Sequence, residues 1–474
     1  MMGVPMRPPS HLVVLFLGSL LAASSGRAES PLTPVEQMAR DILRELVEIP
    51  STESGVGSTP AARAIEQRLL SAGFPREDVQ VVGPSPRKMN LVARLRGNGK
   101  ARPILLLAHL DVVEARAEDW SADLPPFRLV ERGGYLYGRG TQDIKDGAAL
   151  LVANLVRWKQ ERWAPARDVI VALTADEEGG AANGVAWLLE RRRDLVDAEY
   201  CLNTDGGDFQ SKNGTPYVVA FAAAEKKATA MRLETTNPGG HGSLPRPDNA
   251  IYELAGALER LAAFRFPVML SPLTRAQLER TAGLESGQAA ADLRAAAAGT
   301  ADPAAIARLA ENPGWNALLR TTCVPTLLEA GHAPNALPQR ARAVLNCRIL
   351  PGHDPADVLD GVRKAVADDK VEVGWQAIEA ETAPASDLNR GVLQAVEAVA
   401  SRLWPGVAVM PVLELGATDG RYLRSAGIPT FGASGVFIDV GDVRAHGRDE
   451  RIRTKDFLGG LAFYDRLVRS LAGS

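Results

Sequence analysis

The sequence predicts an α/β fold in which a doubly wound, mostly parallel sheet carries a smaller inserted α+β domain. Apolar strand-like runs alternate with helical segments up to about residue 227. The pattern changes from residue 228 to residue 382, and the alternation resumes from residue 383 to residue 474. Strands that alternate with helices imply parallel strands joined by crossovers. We therefore expect one main domain in two parts, 29–227 and 383–474, separated by the inserted domain.

The first part opens with helix signals and continues with strands. Thr33, Pro34 and Glu36 form a capping box with proline at the first helical position, and Thr59-Pro60 opens a second helix. Short apolar runs bounded by polar residues then predict strands, and periodic segments predict helices. The predicted strands are residues 90–95, 104–108, 169–174 and 198–203, and the predicted helices are residues 146–158 and 183–192.

The inserted domain and the last part follow the same rules. An Ala-rich stretch at residues 271–315 also lies in the insert, and its composition favours helix. Predicted strands of the insert are residues 229–235, 323–328, 341–350 and 371–378, with helices at 250–264 and after Asp354-Pro355. The last part is predicted to contain helices 393–403 and 454–471 and strands 407–412 and 429–432.

The charge and the N-terminal segment restrict the class of protein. The net charge is −3 and aromatic residues make up 5%, which argues against a nucleic-acid-binding surface. Arg7, the apolar stretch 12–23 and the small residues 24–28 are typical of a signal peptide. We therefore expect a signal peptide at 1–28, a secreted or periplasmic protein and no later membrane span.

The chain has three cysteines, an odd number that does not suggest a disulfide framework. Cys323 and Cys347 lie on two predicted strands that could pair, so one bridge can form in an oxidising compartment. Buried free thiols are the favoured interpretation, and Cys201 has no partner in this scheme.

Candidate metal ligands stand where predicted strands end, the edge at which open α/β sheets bind ligands. The run VIVALTADEEGG ends in Asp176, Glu177 and Glu178, and three adjacent acids need positive charge nearby. Asp176 alone is interpreted as a solvated turn residue. Imidazole with carboxylate suits zinc, manganese or cobalt. The other candidates at such positions are His109 and Asp111 in HLD, Asp143 in GRGTQDIKDG, Asp205 in TDGG and His446 in HGRDER.

Along the chain the five motifs follow in the order HLD, GRGTQDIKDG, TADEEGG, TDGG and HGRDER. In this order they resemble the M20 family of metallopeptidases, which includes carboxypeptidases, dipeptidases and amino-acid deacylases. The resemblance covers nearly all of the chain after residue 28. It implies a doubly wound, di-zinc catalytic domain and an inserted α+β lid domain that often mediates dimerisation. The expected cofactor is two Zn²⁺ ions, with Co²⁺ or Mn²⁺ as substitutes.

The resemblance also implies a role for each motif residue. Glu177 is the general base, and Asp111 accepts a hydrogen bond from His109 and fixes its tautomer. The Asp205 position is often Glu in the family, so a shorter arm is expected to shift the metal or substrate slightly. The family further implies a cis peptide between Asp143 and Ile144. The implied ligands are His109 and Asp205 for one zinc, Glu178 and His446 for the other, and Asp143 between the two.

Three residues of the inserted domain match family motifs for substrate binding. His241 in GGHGSLP is implied to reach the partner subunit's active site and to stabilise the oxyanion there. Asn335 in APNALP and Arg348 in LNCRILPG are implied to hold the substrate backbone and its terminal carboxylate, which arginine can grip bidentately. A homodimer is therefore expected.

Two further groups of polar residues lie outside these motifs. Thr418, Asp419 and Arg421 either line the pocket or form a helix N-cap with its ion pair. His332 and His353 are interpreted as capping turns.

The sequence leaves more than one function open. The favoured hypothesis is a carboxypeptidase or dipeptidase that acts on small peptides with a free carboxylate. An N-acyl amino-acid deacylase would use the same machinery. A non-catalytic solute-binding protein on a two-domain scaffold would also carry a signal peptide, although it would have no need of Glu177.

Overall fold

The computed structural model describes residues 31–179, 182–376, 384–386 and 390–473. The predicted signal peptide, the second glycine of TADEEGG and the end of the predicted strand 371–378 lie outside these ranges. No helix within them combines the length and the apolar character that a membrane span requires.

The described residues form fourteen α-helices and nineteen strands. The helices are α1 Pro34–Val47, α2 Thr59–Ser71, α3 Lys145–Gln160, α4 Gly184–Arg191, α5 Arg193–Val196, α6 Ala250–Ala263, α7 Pro272–Leu284, α8 Gly287–Ala298, α9 Pro303–Ala310, α10 Pro313–Leu319, α11 Pro355–Val366, α12 Arg390–Leu403, α13 Gly420–Ser425 and α14 Thr454–Ala472. The strands are β1 Val79–Ser85, β2 Lys88–Leu95, β3 Ile104–His109, β4 Val130–Arg132, β5 Tyr135–Tyr137, β6 Val169–Thr174, β7 Tyr200–Asn203, β8 Phe209–Lys212, β9 Thr215–Glu225, β10 Lys227–Thr236, β11 Gly240–His241, β12 Thr322–Ala330, β13 Ala336–Leu337, β14 Arg340–Ile349, β15 Glu372–Trp375, β16 Ala408–Glu414, β17 Thr430–Gly432, β18 Phe437–Asp439 and β19 Arg451–Arg453.

A ten-stranded sheet organises the larger part of the chain. Its order is β1-β2-β6-β3-β7-β17-β9-β8-β18, with β16 paired to β9. The central strands β6, β3, β7 and β17 run parallel. The pairs β1–β2, β2–β6, β17–β9 and β8–β9 are antiparallel. The α/β fold is confirmed, and the sheet is mixed, with five parallel and four antiparallel pairings among its described strands.

Helix α3 forms the centre of the main core. Every residue of β3 and β6 is buried, as expected for strands covered on both faces. Helix α3 is buried on nearly all sides because α1 and α14 pack against it on the sheet. The capping box at Thr33 is confirmed, since its side chain accepts from the amide of Glu36. This core fixes the start of α3, where the predicted bridging ligand lies.

Strands β10, β12, β14 and β15 build a separate sheet in the order β12-β14-β10-β15, entirely antiparallel. Alternate residues of β14 are buried, and α6 and α11 pack against this sheet. The edge strand β12 is largely exposed. The exact domain boundaries, 227/228 and 382/383, stay predictions.

The Ala-rich stretch forms helices α7 to α10, which confirms the helical prediction for residues 271–315. Helix α7 packs on β16, where the Gln277 side chain accepts a hydrogen bond of 2.9 Å from the amide of Leu413. Unpaired edge strands invite pairing with other chains. The insert therefore shields one edge of the large sheet.

A disulfide joins Cys323 of β12 to Cys347 of β14, two residues that face each other in the strand register. The interpretation of both as free thiols is wrong. Sequence could not decide this, because it depends on the register between the strands. Cys201 is a buried free thiol.

Candidate metal centre

The predicted ligand residues lie at the ends of neighbouring central strands. His109 is the last residue of β3 and pairs with Thr174 at the end of β6, just before the three acids. On the other side of β3, Leu107 pairs with Asn203 of β7, which precedes Asp205. The parallel arrangement therefore places three motifs at one edge of the sheet.

One group of ligand atoms surrounds the buried His109. Its Nε2 lies 3.0 Å from Oδ1 of Asp143 and 4.0 Å from Oδ2 of Asp205. The His109 side chain is only 2% exposed, whereas both carboxylates are partly accessible. Ligand atoms of these three residues lie within 4.8 Å of one another.

A second group forms on the other side of the same Asp143 carboxylate. Nε2 of His446 lies 2.9 Å from Oδ2 of Asp143 and 3.0 Å from Oε1 of Glu178. Their ligand atoms again lie within 4.8 Å of one another. Asp143 thus directs one oxygen to each group.

The pKa values of His109, His446 and Asp143 show that the carboxylates of the cluster favour positive charge beside them. Burial lowers the pKa of His109, but the hydrogen bond and charge of Asp143 outweigh this and raise it well above its usual value. Hydrogen bonds to Asp143 and Glu178 raise the pKa of His446 to about 10. Burial would raise the pKa of Asp143, yet the two imidazoles hold it below its usual range. The carboxylates therefore require positive charge at both imidazole nitrogens.

Metal cations fit this requirement. Each group offers one imidazole nitrogen together with carboxylate oxygens, a donor set that suits zinc, cobalt or manganese. Two metals close together need a shared anionic ligand, and a carboxylate can provide one oxygen to each. The cis peptide predicted between Asp143 and Ile144 is present.

The hydrogen bond predicted between His109 and Asp111 is present, and its acceptor is the main chain of Asp111. Nδ1 of His109 lies 3.0 Å from the main-chain oxygen of Asp111 and 3.9 Å from its carboxylate. The carboxylate instead accepts hydrogen bonds from the amides of Glu177, at 3.2 Å, and Glu178, at 3.0 Å. The main-chain oxygen can still fix the tautomer of His109. The Asp111 carboxylate orders the turn that carries the two glutamates.

Glu177 and Glu178 are adjacent in the sequence, but their surroundings differ. Glu178 contacts His446, as described above. Burial raises the pKa of Glu177 to about 8, and the neighbouring acids Asp419, Glu178 and Asp111 add to this effect. A carboxyl group with such a pKa can exchange a proton near neutral pH.

Asp176 is not a solvated turn residue, and that interpretation is wrong. It is 3% exposed, has a positive φ of 61° and accepts a hydrogen bond of 2.7 Å from Lys88. Lys88 also pairs with Glu53 at 2.8 Å. The positive charge that Asp176 needed comes from a lysine on β2, which the local sequence could not show.

Of the two interpretations of residues 418–421, the structure argues against a side-chain N-cap at Asp419. Asp419 occupies the N-cap position of α13, but its side chain makes no capping hydrogen bond. Its buried carboxylate accepts instead from Oγ1 of Thr174, at 2.8 Å, and Nδ2 of Asn183, at 2.6 Å. Asp419 therefore ties α13 to the end of β6. His353 is buried and contacts Oγ1 of Thr321 at 2.8 Å.

Sequence reasoning missed Glu450. This residue is fully buried and forms an ion pair with Arg139 at 2.6 Å. It also accepts hydrogen bonds from main-chain amides of the loop that carries Asp143. The local sequence HGRDER gave no signal, because a glutamate among arginines is typical of a solvated segment.

The predicted substrate residues lie on the separate sheet and its loops. His241 is exposed and contacts Oγ of Ser243 at 2.7 Å, while the amide of Gly242 donates to the oxygen of Asn335. His241 and Asn335 are neighbours because β11 pairs with β13. Arg348 is half-buried. Its pKa is lowered mainly by burial and further by the nearby charge of Arg421. Among the described residues, no hydrogen bond or ion pair joins these three side chains to the ligand cluster.

Comparisons with known proteins agree with this arrangement. The profile of peptidase family M20/M25/M40 matches residues 105–470. The human N-fatty-acyl-amino acid synthase/hydrolase PM20D1 is 28% identical over 466 residues, which cover 94% of this chain and 90% of that protein. A probable carboxypeptidase S-like 2 of Dictyostelium discoideum is 28% identical over 387 residues, 78% of this chain and 72% of that protein.

A solved structure shows the same fold. The M20 family metallo-carboxypeptidase Sso-CP2 from Sulfolobus solfataricus superposes with a TM-score of 0.68 and 17% identity, covering 91% of this chain and 98% of that chain. The family profile spans most of the sequence, including all five ligand positions. The chain therefore belongs to peptidase family M20/M25/M40 and is a metal-dependent hydrolase of amide bonds.

Proposed function

We propose that the protein is a di-zinc metallopeptidase that hydrolyses the amide bond of small peptides next to a free C-terminal carboxylate. The observation that carries this proposal is the division of Asp143 between two ligand groups. Nε2 of His109 and of His446 approach different oxygens of that carboxylate, at 3.0 and 2.9 Å. His109 and Asp205 would hold one zinc, and Glu178 and His446 the other.

The chain's own residues supply the rest of the chemistry. When bound, the two metals supply Lewis acidity and lower the pKa of water. Glu177 accepts the proton of the attacking water and returns it to the leaving amine, a role that its pKa of about 8 supports. His241 donates to the oxyanion, and Asn335 and Arg348 bind the substrate backbone and carboxylate.

A second candidate is hydrolysis of N-acyl amino acids, and one observation favours it. The human relative that matches along 94% of the chain is named for N-fatty-acyl-amino acids. Such a substrate also ends in a carboxylate next to the scissile amide, so the same residues would serve. A non-catalytic solute-binding protein does not agree with the family assignment.

Metal analysis combined with paired assays tests the proposal. The purified protein, with added zinc or cobalt, is given a dipeptide, an N-acyl amino acid and the C-terminal amide of each. We expect about two metals per chain and hydrolysis only of substrates with a free carboxylate. The proposal fails if no metal binds at neutral pH, and the ratio of the two activities decides between peptide and N-acyl substrates.

A homodimer is part of the proposal. Among the described strands, β12 pairs on one side only and forms an edge, on which Val324, Leu327 and Leu328 are between 54% and 64% exposed. Such an edge pairs readily with a second copy of itself. Leu327→Glu should convert a dimer in analytical ultracentrifugation into a monomer, and a monomeric wild type would exclude this interface.

Secretion or export to the periplasm is also proposed. The N-terminal charge and apolar pattern and the disulfide of Cys323 with Cys347 both suit an oxidising compartment. N-terminal sequencing of the exported protein should begin after Ala28. Accumulation of the full-length chain in the cytoplasm would contradict this.

A further inference from the structure

Two loops bring together ligands that are about 300 residues apart in the chain. Residues 138–143, here called the aspartate loop, carry Asp143, and residues 442–451, the histidine loop, carry His446. His446 is the most exposed of the ligand residues, at 54%, and has a positive φ of 62°. A side chain so open to solvent needs its backbone held from elsewhere.

Glu450 of the histidine loop holds the aspartate loop. Its carboxylate accepts hydrogen bonds from the main-chain amides of Gly140 at 3.1 Å, Gln142 at 2.6 Å and Asp143 at 3.2 Å. Arg139 of the same loop donates through Nη1 at 2.6 Å. One buried carboxylate thus receives four donors from the segment that ends in Asp143.

Gln142 of the aspartate loop holds the histidine loop in return. Its Nε2 donates to the main-chain oxygens of Arg451 at 2.7 Å and Asp442 at 3.2 Å. Its Oε1 accepts from the amide of Arg444 at 2.7 Å. Nη2 of Arg139 lies 3.4 Å from the main-chain oxygen of His446. Each loop therefore fixes the backbone of the other.

We propose that Glu450 and Gln142 are positioning residues that hold Asp143 and His446 at the spacing required by the second metal, before any metal binds. The inference rests on the proposed two-metal function. Hydrogen bonds to a buried charged acceptor are strong, and fixing the backbone in advance removes conformational entropy that metal binding would otherwise cost. The group of His109, Asp143 and Asp205 depends less on this contact, because strands β3 and β7 fix two of its members.

The main test compares Glu450→Gln with Glu66→Gln. The amide of the new side chain would face main-chain N–H groups, leaving donors without acceptors. Glu66 is a matched control, since it is buried and accepts from Arg63 and Arg76 at 2.8 Å each, on helix α2. Metal-free proteins are titrated with zinc against a chromogenic chelator, and the visible spectrum of each cobalt-loaded protein is recorded.

We expect Glu450→Gln to weaken the second zinc by about 10- to 100-fold, the range for residues that orient ligands, and to change the cobalt spectrum. The first zinc should be little affected, and Glu66→Gln should bind both metals like the wild type. Hydrogen exchange of the metal-free protein should be faster at residues 140–143 in Glu450→Gln only. Gln142→Ala, which acts from the other loop, should give the same selective loss if Glu450→Gln does not fold.

Three results would overturn the inference or separate it from the proposed function. Wild-type affinity for both metals in Glu450→Gln, with an unchanged spectrum, would exclude the positioning role. Equal weakening of both metals together with a lower melting temperature would show a general role in folding instead. If the wild type binds no zinc, the proposed function fails, and unchanged exchange at residues 140–143 would then reject the contact between the loops as well.

Discussion

The metal-ligand residues contact one another within a single chain, whereas the predicted substrate residues lie apart from them. The five ligand residues are already in contact, with imidazole nitrogens about 3 Å from the carboxylate of Asp143. His241 lies on β11 and Asn335 just before β13, two short paired strands, and both residues are exposed. Their hydrogen bonds within the described residues stay inside this region. The large sheet and the loops beside it therefore bring the metal ligands together, whereas the predicted substrate residues lie in a second region.

This difference has a physical reason. His109, Glu178 and Asp205 follow buried central strands, whereas Asp143 and His446 lie on two loops that hydrogen-bond to each other. The opposite charges of the ligand residues also attract each other across short distances. The three substrate residues have no counter-charge in the cluster among the described contacts. We expect mutations in the first region to change metal binding or chemistry, and mutations in the second to change substrate affinity or the oxyanion alone.

The largest effect is expected for Glu177→Ala. Loss of the general base should reduce kcat by about 10²- to 10⁴-fold while metal content stays that of the wild type. Glu178→Ala is the matched comparison, because the adjacent glutamate contacts His446 and its loss should release metal. Metal analysis and kinetics on both variants check this. Lost metal in Glu177→Ala would assign the two glutamates the opposite way.

The second largest effect is expected for His241→Ala. This variant should lower kcat by about 10²- to 10³-fold, as for other residues that stabilise an oxyanion. Metal content and melting temperature should not change, because His241 is exposed and contacts Ser243 only locally. His332→Ala, at another exposed histidine of this region, serves as the control. Equal effects of both variants on kcat would remove His241 from the reaction.

Arg348→Lys should mainly raise KM, by about 10- to 100-fold, since a charged hydrogen bond contributes about 1.5–3 kcal/mol. The rise should appear with carboxylate substrates and not with their amides. Arg342→Lys is the control, because Arg342 lies on the same strand and pairs with Glu329. An equal rise in KM for carboxylate and amide would show that Arg348 does not bind the carboxylate.

The smallest effect on catalysis is expected from the double variant Cys323→Ser and Cys347→Ser. Removal of this cross-link should lower the free energy of unfolding of its sheet by about 2–4 kcal/mol and leave kcat nearly unchanged. Cys201→Ala, at a buried free thiol of the large sheet, removes no cross-link. Urea unfolding of the oxidised proteins measures both, and identical midpoints for wild type and double variant would contradict the expectation.

Local sequence predicted many of the longer elements, although β1 and β9, seven and eleven residues long, were missed. The strand 169–174 was predicted with the bounds observed for β6, and the Ala-rich stretch was predicted as helix. Strands β4, β5 and β19, each three residues long, are too short to show a period of two and were missed. The antiparallel pairs of the large sheet were not predicted, because strand direction depends on connections rather than composition.

The sequence by itself determined the α/β class, the family and the set of residues that could bind metal, because each lies in a short motif at a strand end. Only the tertiary structure decided which atoms meet. Asp176 accepts a hydrogen bond from Lys88, and the Asp111 carboxylate accepts from two main-chain amides. A disulfide joins β12 to β14. Glu450 accepts a hydrogen bond from the main-chain amide of Asp143. These contacts join residues between 24 and 307 positions apart, and such pairings follow from strand register and packing, which no local pattern encodes.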